Sequence, residues 1–352
     1  MSINRRQLLV GAAATAAAAT AGSLGVAAAP AQAAARGPFD PFDLALVDTK
    51  REIVEIHSTG DVQGGKFGAP KSSLGPGWSP LEFRRREIPG LGVVCMVCGS
   101  ELDKDGGQQT RTSGRVTFRR WPDMNTEIAS AEGLEIFPHC IEYLPTARAV
   151  VVVGTRDPEP PAGQRPRPTR QQGSYQLYTA PDGTPGSFRP IPGQLKYFRQ
   201  AHGVLWDPVL NVLWMYGWNQ LVAYRVEGSG TSTHLTEVPQ LRLTTELFIN
   251  GHDLQPDYAE RTTLWASGSN YMIKIFKEAD RSFIWWTDSV REVKSFSRHE
   301  EGRGIYTTAR GTGNPYGNHR VYFKWPEEVI EHQDRSSRIY KARLLNYVLP
   351  GS

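Results

Sequence analysis

Three histidines recur in one local setting. They are His139 in Pro138-His139-Cys140-Ile141-Glu142-Tyr143-Leu144-Pro145, His202 in Ala201-His202-Gly203-Val204-Leu205-Trp206-Asp207-Pro208, and His252 in Gly251-His252-Asp253-Leu254-Gln255-Pro256-Asp257. Each is followed by a short apolar run, a Pro/Asp turn, a second apolar run and a glycine (Gly154, Gly217 and Gly268). A fourth copy opens at Val293 and carries Lys294 where the histidine would stand. Equivalent positions of a repeat that closes on itself converge in space, so these four side chains are expected at one place. Three converging imidazoles suit a divalent metal such as Zn²⁺ or Mn²⁺, with Ca²⁺ a further candidate. They equally suit proton transfer. An ammonium repels a metal ion and favours an anion, for example a uronate carboxylate, so Lys294 leans toward the second chemistry. His139, His202, His252 and Lys294 are therefore the candidate catalytic residues, and the three histidines are also the candidate metal ligands. Glu142, Asp253, Trp218 and Tyr271 are the candidate substrate contacts.

The elements that must position these residues are short strands. A third strand follows the pair in each copy: Ser174–Tyr178, Gln220–Tyr224 and Tyr271–Phe276. The intervals between key positions are 63 (139 to 202), 50 (202 to 252) and 42 (252 to 294). The longest contains Asp157 to Arg170, a Pro/Arg-rich stretch that reads as an exposed loop insertion over 155–172. A repeat of roughly 40–50 residues with four strands is the signature of a β-propeller blade. Six four-stranded antiparallel blades fit the chain, with seven as the alternative. Ile339–Leu345 is a further strand, placed to join the first blade and close the ring. A β-sandwich is the competing all-β arrangement, but its strands do not recur with the same residues at the same places. The composition agrees: 352 residues, Gly 35, Pro 25, Trp 9 and Tyr 13, with 22% charged. Turns and half-buried strand surfaces use these residues, and a helical bundle does not.

The first 33 residues read as an export signal rather than structure. Arg5-Arg6-Gln7-Leu8-Leu9 precedes an Ala-rich apolar run that ends at Ala31-Gln32-Ala33. A charged start, an apolar stretch and a small-x-small site define a secretory signal, and the paired arginines look like the twin-arginine type. The expected mature protein is secreted: residues 34–42 form a linker, and 43–348 a single propeller. Cleavage removes two arginines and no acids, leaving 38 − 36 = +2 from the full chain's +4. That balance gives no footing for nucleic acid. No later run approaches the roughly 18 apolar residues of a membrane span. The expected partner is a small molecule or glycan at the propeller mouth, with the protein a monomer.

The remaining signals are weaker. Cys95 and Cys98 form a C-x-x-C on an apolar strand, where i and i+3 face opposite sides and cannot readily share a metal. With Cys140 they read as buried core thiols. Gly60–Lys66 resembles a phosphate loop, but Phe67 stands where Ser or Thr is required. His299-Glu300-Glu301 falls in the turn of the fourth copy and reads as solvated. Asn219, Asn250 and Asn270 are thin candidates for the ligand set of a metal-dependent lactonase.

Taken together, Pro138-His139…Glu142, Ala201-His202-Gly203-Val204…Trp206-Asp207, Gly251-His252-Asp253-Leu254 and Val293-Lys294-Ser295 resemble a family of exported bacterial β-propellers of unknown function. The resemblance spans about residues 43–345, including Tyr340-Lys341-Ala342-Arg343. The chain departs from the pattern at Cys140, where a small polar residue is expected, and in the 155–172 insertion. The resemblance implies a fold and no chemistry. Three functions fit the residues: lyase-type cleavage of a uronate-containing glycan, non-catalytic binding of a ligand or protein at the propeller mouth, and metal-dependent hydrolysis.

Overall fold

The computed structural model describes residues 40–102, 109–155, 173–313 and 315–345. The expected export signal, most of the 34–42 linker, the loop insertion beyond Thr155 and residues 346–348 lie outside the described residues.

Alternating apolar runs and tight turns give six antiparallel sheets. Blade one holds β1 (Asp43–Asp48), β2 (Ile53–Ser58) and β3 (Ser72–Leu74). Blade two is β4 (Ser79–Ile88), β5 (Gly92–Leu102), β6 (Gln109–Arg120) and β7 (Glu127–Leu134). Blade three is β8 (Phe137–Leu144), β9 (Ala149–Thr155), β10 (Ser174–Thr179) and β11 (Pro190–Tyr197). Blade four is β12 (Gly203–Asp207), β13 (Val212–Gly217), β14 (Gln220–Glu227) and β15 (His234–Glu237), with the short β16 (Leu243–Thr244) also on β14. Blade five is β17 (Asp253–Pro256), β18 (Thr263–Ser267), β19 (Met272–Lys277) and β20 (Ser282–Asp288). Blade six is β21 (Val293–Arg298), β22 (Gly304–Thr308), β23 (Arg320–Lys324) and β24 (Glu328–Glu331).

The last strand, β25 (Ile339–Leu344), pairs with β1 as the fourth strand of blade one. It also contacts β21 and β4, so the C-terminus supplies the innermost strand that closes the ring. The fold is a six-bladed β-propeller, as the repeat predicts.

The core is divided among the blades. Among the described residues six hydrophobic clusters each join one blade to the next, and a small seventh gathers Leu81, Phe137, Tyr316 and Tyr340. The C-x-x-C pair illustrates the period of two: Cys95 packs in the cluster between blades one and two, and Cys98 in the one between two and three.

Two details explain why the repeat keeps its residues. Trp214 Nε1 donates to Asp207 Oδ2 at 3.0 Å, and Trp265 Nε1 donates to Asp257 Oδ2 at 2.8 Å. The Asp of the turn thus satisfies the indole of the second strand, which is nearly fully buried in both blades. The glycine ending the second strand lies against the backbone entering the blade. A Cβ on Gly217 would collide with Arg199 and Gln200.

Candidate functional site

The innermost strands β4, β8, β12, β17, β21 and β25 surround the axis. The recurring His/Lys position falls at or just before the start of its strand. His202 and His252 immediately precede β12 and β17, while His139 and Lys294 lie within the first residues of β8 and β21.

The four side chains meet there in a chain of contacts. His139 and His202 stack with ring centroids 4.0 Å apart and planes 21° apart. His202 meets His252 edge-on at 5.6 Å. Lys294 Nζ lies 3.1 Å from His252 Nε2. The expected convergence is therefore present in the geometry.

Protonation follows from these contacts. His202 Nδ1 is 2.9 Å from the carbonyl of Gln200, so that nitrogen carries the hydrogen and Nε2 keeps its lone pair. Lys294 is a donor only, so His252 Nε2 accepts and its hydrogen sits on Nδ1. Burial pushes His202 down to about 4, partly opposed by the bond to Gln200. Burial, then Lys294 and the neighbouring histidines, push His252 well below its ordinary value. Burial, then His202, Lys341 and Lys294, do the same to His139. All three imidazoles are thus neutral at pH 7. Burial also pushes Lys294 down to about 8, partly opposed by the Glu292 carboxylate, which acts on it through space without forming an ion pair. His139 and Lys294 are almost fully buried, whereas His202 and His252 remain partly open to solvent. Among the described residues Lys294 has no ion-pair partner, and its one hydrogen-bond contact is His252.

The histidines do not converge on a common metal position. Among the described residues, Glu55, His57 and His332 are the one group of three or more candidate ligands whose donor atoms all lie within 4.8 Å of one another. Stacking of His139 on His202 sets their edges side by side rather than toward one point. The Glu55 group is itself already neutralised. Arg51 donates to both Glu55 oxygens at 2.9 Å, and His332 Nε2 stands 2.8 Å from Glu55 Oε2. Burial alone would raise Glu55, but His332, His57 and Arg51 outweigh it and hold the carboxyl well below the usual range. This group ties β2 to the segment after β24, as a staple between blades one and six.

Below the mouth, the axis is filled by charges. Arg343 Nε and Nη2 donate to Glu82 at 2.6 and 2.7 Å, and its Nη1 and Nη2 donate to Asp253 at 2.6 and 2.7 Å. Lys341 Nζ donates to Glu82 at 2.9 Å and to the His139 carbonyl at 3.1 Å. Arg84 and Arg86 converge on Glu142 at 2.6–2.8 Å. Burial would raise Glu82, but Arg343, Lys341 and Arg84 hold it well below the ordinary carboxylate range. Cys140, the departure noted in the sequence, is part of this plug. Its Sγ lies 3.1 Å from both Arg84 Nη2 and Glu82 Oε2, and burial raises the thiol to about 11.

This placement corrects two expected substrate contacts. Glu142 and Asp253 are fully buried with both carboxylate oxygens engaged, so neither offers an edge to a ligand. The strand-start spacing found them, and the cross-axis arginines that claim them left no sequence signal. Trp218 is half-buried under the Arg199 guanidinium at 4.6 Å, and Tyr271 packs on the core between blades four and five. His299 is buried and stacked on Phe42 at 4.5 Å rather than solvated. A cleft of about 300 Å³ between blades four and five, lined by Trp206, Asp207, Pro256, Tyr258 and Lys277, contains none of the four mouth residues.

No protein-family model matches the sequence. No curated protein matches it either. Solved structures match the fold. A "putative 6-phosphogluconolactonase" from Bacteroides fragilis aligns over 87% of this chain and 98% of its own, with TM-score 0.52 and 7% identity. A second, from Bacteroides uniformis, aligns over 83% and 82%, with TM-score 0.50 and 8% identity. A protein from Lactobacillus plantarum aligns over 87% and 100%, with TM-score 0.50 and 8% identity. At such identities the likeness establishes the propeller and nothing about chemistry.

Proposed function

We propose that the chain is a secreted propeller whose His139/His202/His252/Lys294 mouth recognises a carboxylate-bearing sugar and moves a proton on it, as in lyase-type cleavage of a uronate-containing glycan. The observation that carries this reading is Lys294. A buried ammonium with an imidazole but no ion-paired carboxylate beside it retains hydrogens to give to an anion.

The remaining residues supply the other roles. In β-elimination a base takes the proton from C5 of the uronate. That electron pair forms the C4–C5 double bond, the C4–O bond breaks, and the departing glycosidic oxygen takes up a proton. Lys294 would neutralise the carboxylate that acidifies C5. His202 Nε2, with its lone pair fixed by the Gln200 bond and its ring partly open, is the base. The plug beneath confines the ligand to the mouth. The reaction needs no metal, which accords with the absence of a common position for the three rings.

The test is to incubate the mature protein with polygalacturonate, alginate and heparosan and to follow ultraviolet absorbance of an unsaturated product. The reading expects product from one of them and none from Lys294→Met or His202→Ala. Absence of product from all three, with folded protein, would overturn the lyase assignment.

A further inference from the structure

We propose an anion site in the groove where blade three faces blade two, at the end of the propeller away from the mouth, and assign it a phosphoryl group, free or carried on a small organic molecule. It does not rest on the reading of the mouth. His139 stands near the start of β8 and Tyr143 near its end, four residues and about 13 Å further along the strand.

The groove holds about 420 Å³, within the range of small-molecule sites and more than a bare phosphate ion fills. Ile88 and Pro89 at the end of β4 form one wall. The turn that carries Arg148, between β8 and β9, forms a second, and the 180–189 loop between β10 and β11 a third.

Three donors line this space without partners of their own. The Tyr143 side chain is 1% exposed, yet among the described residues its hydroxyl makes no hydrogen bond. Buried hydroxyls ordinarily find a partner, so this one is left for a guest of the groove. Burial raises the phenol and Arg148 only partly opposes the rise, so the hydroxyl keeps its hydrogen at neutral pH. Arg148 and Arg189 are exposed, and among the described residues neither guanidinium has an ion-pair or hydrogen-bond partner. The arginines of the axis, in contrast, are claimed by Glu82, Asp253 and Glu142.

The walls are tied together before any ligand arrives. Ala180 N donates to the Arg148 carbonyl at 3.1 Å, and Gly230 N to the Ala147 carbonyl at 2.8 Å. Within the loop, Asp182 Oδ1 accepts from Thr184 N and Oγ1 at 2.9 and 2.6 Å, and Ser187 Oγ donates to the Thr184 carbonyl at 2.8 Å. Arg148 has φ 48°, and Glu52 and Asn211 occupy the same place in the turns of blades one and four at 55° and 54°. The turn itself therefore fixes the base of the Arg148 side chain.

The charges select the ligand. Two arginines face one acid, Asp182, whose Oδ1 is already engaged in its own loop, so the lining is net positive and disfavours a cation. The donors come from three separate segments. That arrangement suits a tetrahedral head whose oxygens diverge better than a flat carboxylate, and guanidinium matches phosphoryl oxygens well. Ile88, Pro89 and Pro181 leave apolar surface for an organic body.

The experiment is calorimetric titration of the mature protein with glycerol 3-phosphate, glucose 1-phosphate and inorganic phosphate, with malonate as a flat-headed dianion. We expect at least one of the three phosphates to bind, and to bind tighter than malonate. Arg148→Gln and Arg189→Gln should each weaken it by about ten-fold or more, and Tyr143→Phe by several-fold. Both arginines are exposed and unpaired, so their variants should melt like the parent. Lys294→Met and Arg281→Gln, which remove a cation elsewhere, should bind within about twofold of the parent. Tighter binding of an ester than of inorganic phosphate assigns an organic phosphate, and the reverse order assigns the free ion. The proposal is overturned if no phosphate binds, if malonate binds as tightly, or if Arg148→Gln and Arg189→Gln bind like the parent. Loss of binding in Lys294→Met would also overturn it, because the anion then sits at the mouth. Failure here leaves Lys294-dependent uronate binding standing, and the reverse also holds.

Discussion

The six innermost strands build two neighbouring regions of opposite electrostatic character. In the plug every cation has a carboxylate: Arg343 clasps Glu82 and Asp253, Lys341 reaches Glu82, and Arg84 and Arg86 share Glu142. At the mouth, Lys294 has an imidazole and three neutral rings line up beside it. The plug closes its electrostatics internally and has nothing left to offer a ligand. The mouth leaves its electrostatics open, at a cost in stability. Buried charge that is fully paired reads as architecture, and buried charge that is not reads as function.

The largest expected effect comes from opening the plug. Arg343→Met leaves Glu82 and Asp253 buried without their bidentate partner, which costs about 3–5 kcal/mol and registers as a lower urea midpoint. Lys294→Met should stay within about 1 kcal/mol of the parent or gain stability, because it abandons no carboxylate. Equal losses in both variants would erase the distinction.

The two regions respond to pH in the same direction but in different windows. Glu82 has a folded-state value below its unfolded one, so its contribution is complete above the ordinary carboxylate range and fades as pH falls toward the folded value. Glu82→Gln should be destabilised at pH 7 and show a flatter acid limb in chemical denaturation. Lys294 is lowered to about 8 from 10.5, so the folded chain binds fewer protons than the unfolded one between those values. Stability should climb across that window and level off above it. Lys294→Met should lack the climb, and its survival in the variant would assign it to another group.

The smallest effect tests the blade-one to blade-six staple. His332 is raised despite burial, because Glu55 favours its charged form. Its stabilisation is full below the ordinary histidine value of 6.5 and is lost as pH rises through the higher folded value. His332→Gln should therefore flatten stability slightly over that range, and an unchanged slope would remove His332 from the account.

Legibility in the sequence tracked periodicity. The blades, the closing strand and the His/Lys register could be read because a closed repeat maps equal positions onto equal places. The plug could not. Glu82-x-Arg84-x-Arg86 and Lys341-x-Arg343 alternate as a solvated strand face would, and only ring closure turns that face inward, 259 to 261 residues from its partners. For the same reason Glu142 and Asp253 looked available. Glu55 and His57 share a strand face, but His332 joins them from 277 residues away.

The most direct test of the central claim is calorimetric titration of the mature protein and Lys294→Met with trigalacturonate and with an alginate trimer. The account predicts that one of them binds the parent, that Lys294→Met weakens it by about ten-fold or more, and that parent affinity falls as pH rises past about 8. Equal binding by parent and variant, or no binding of either trimer, would contradict it.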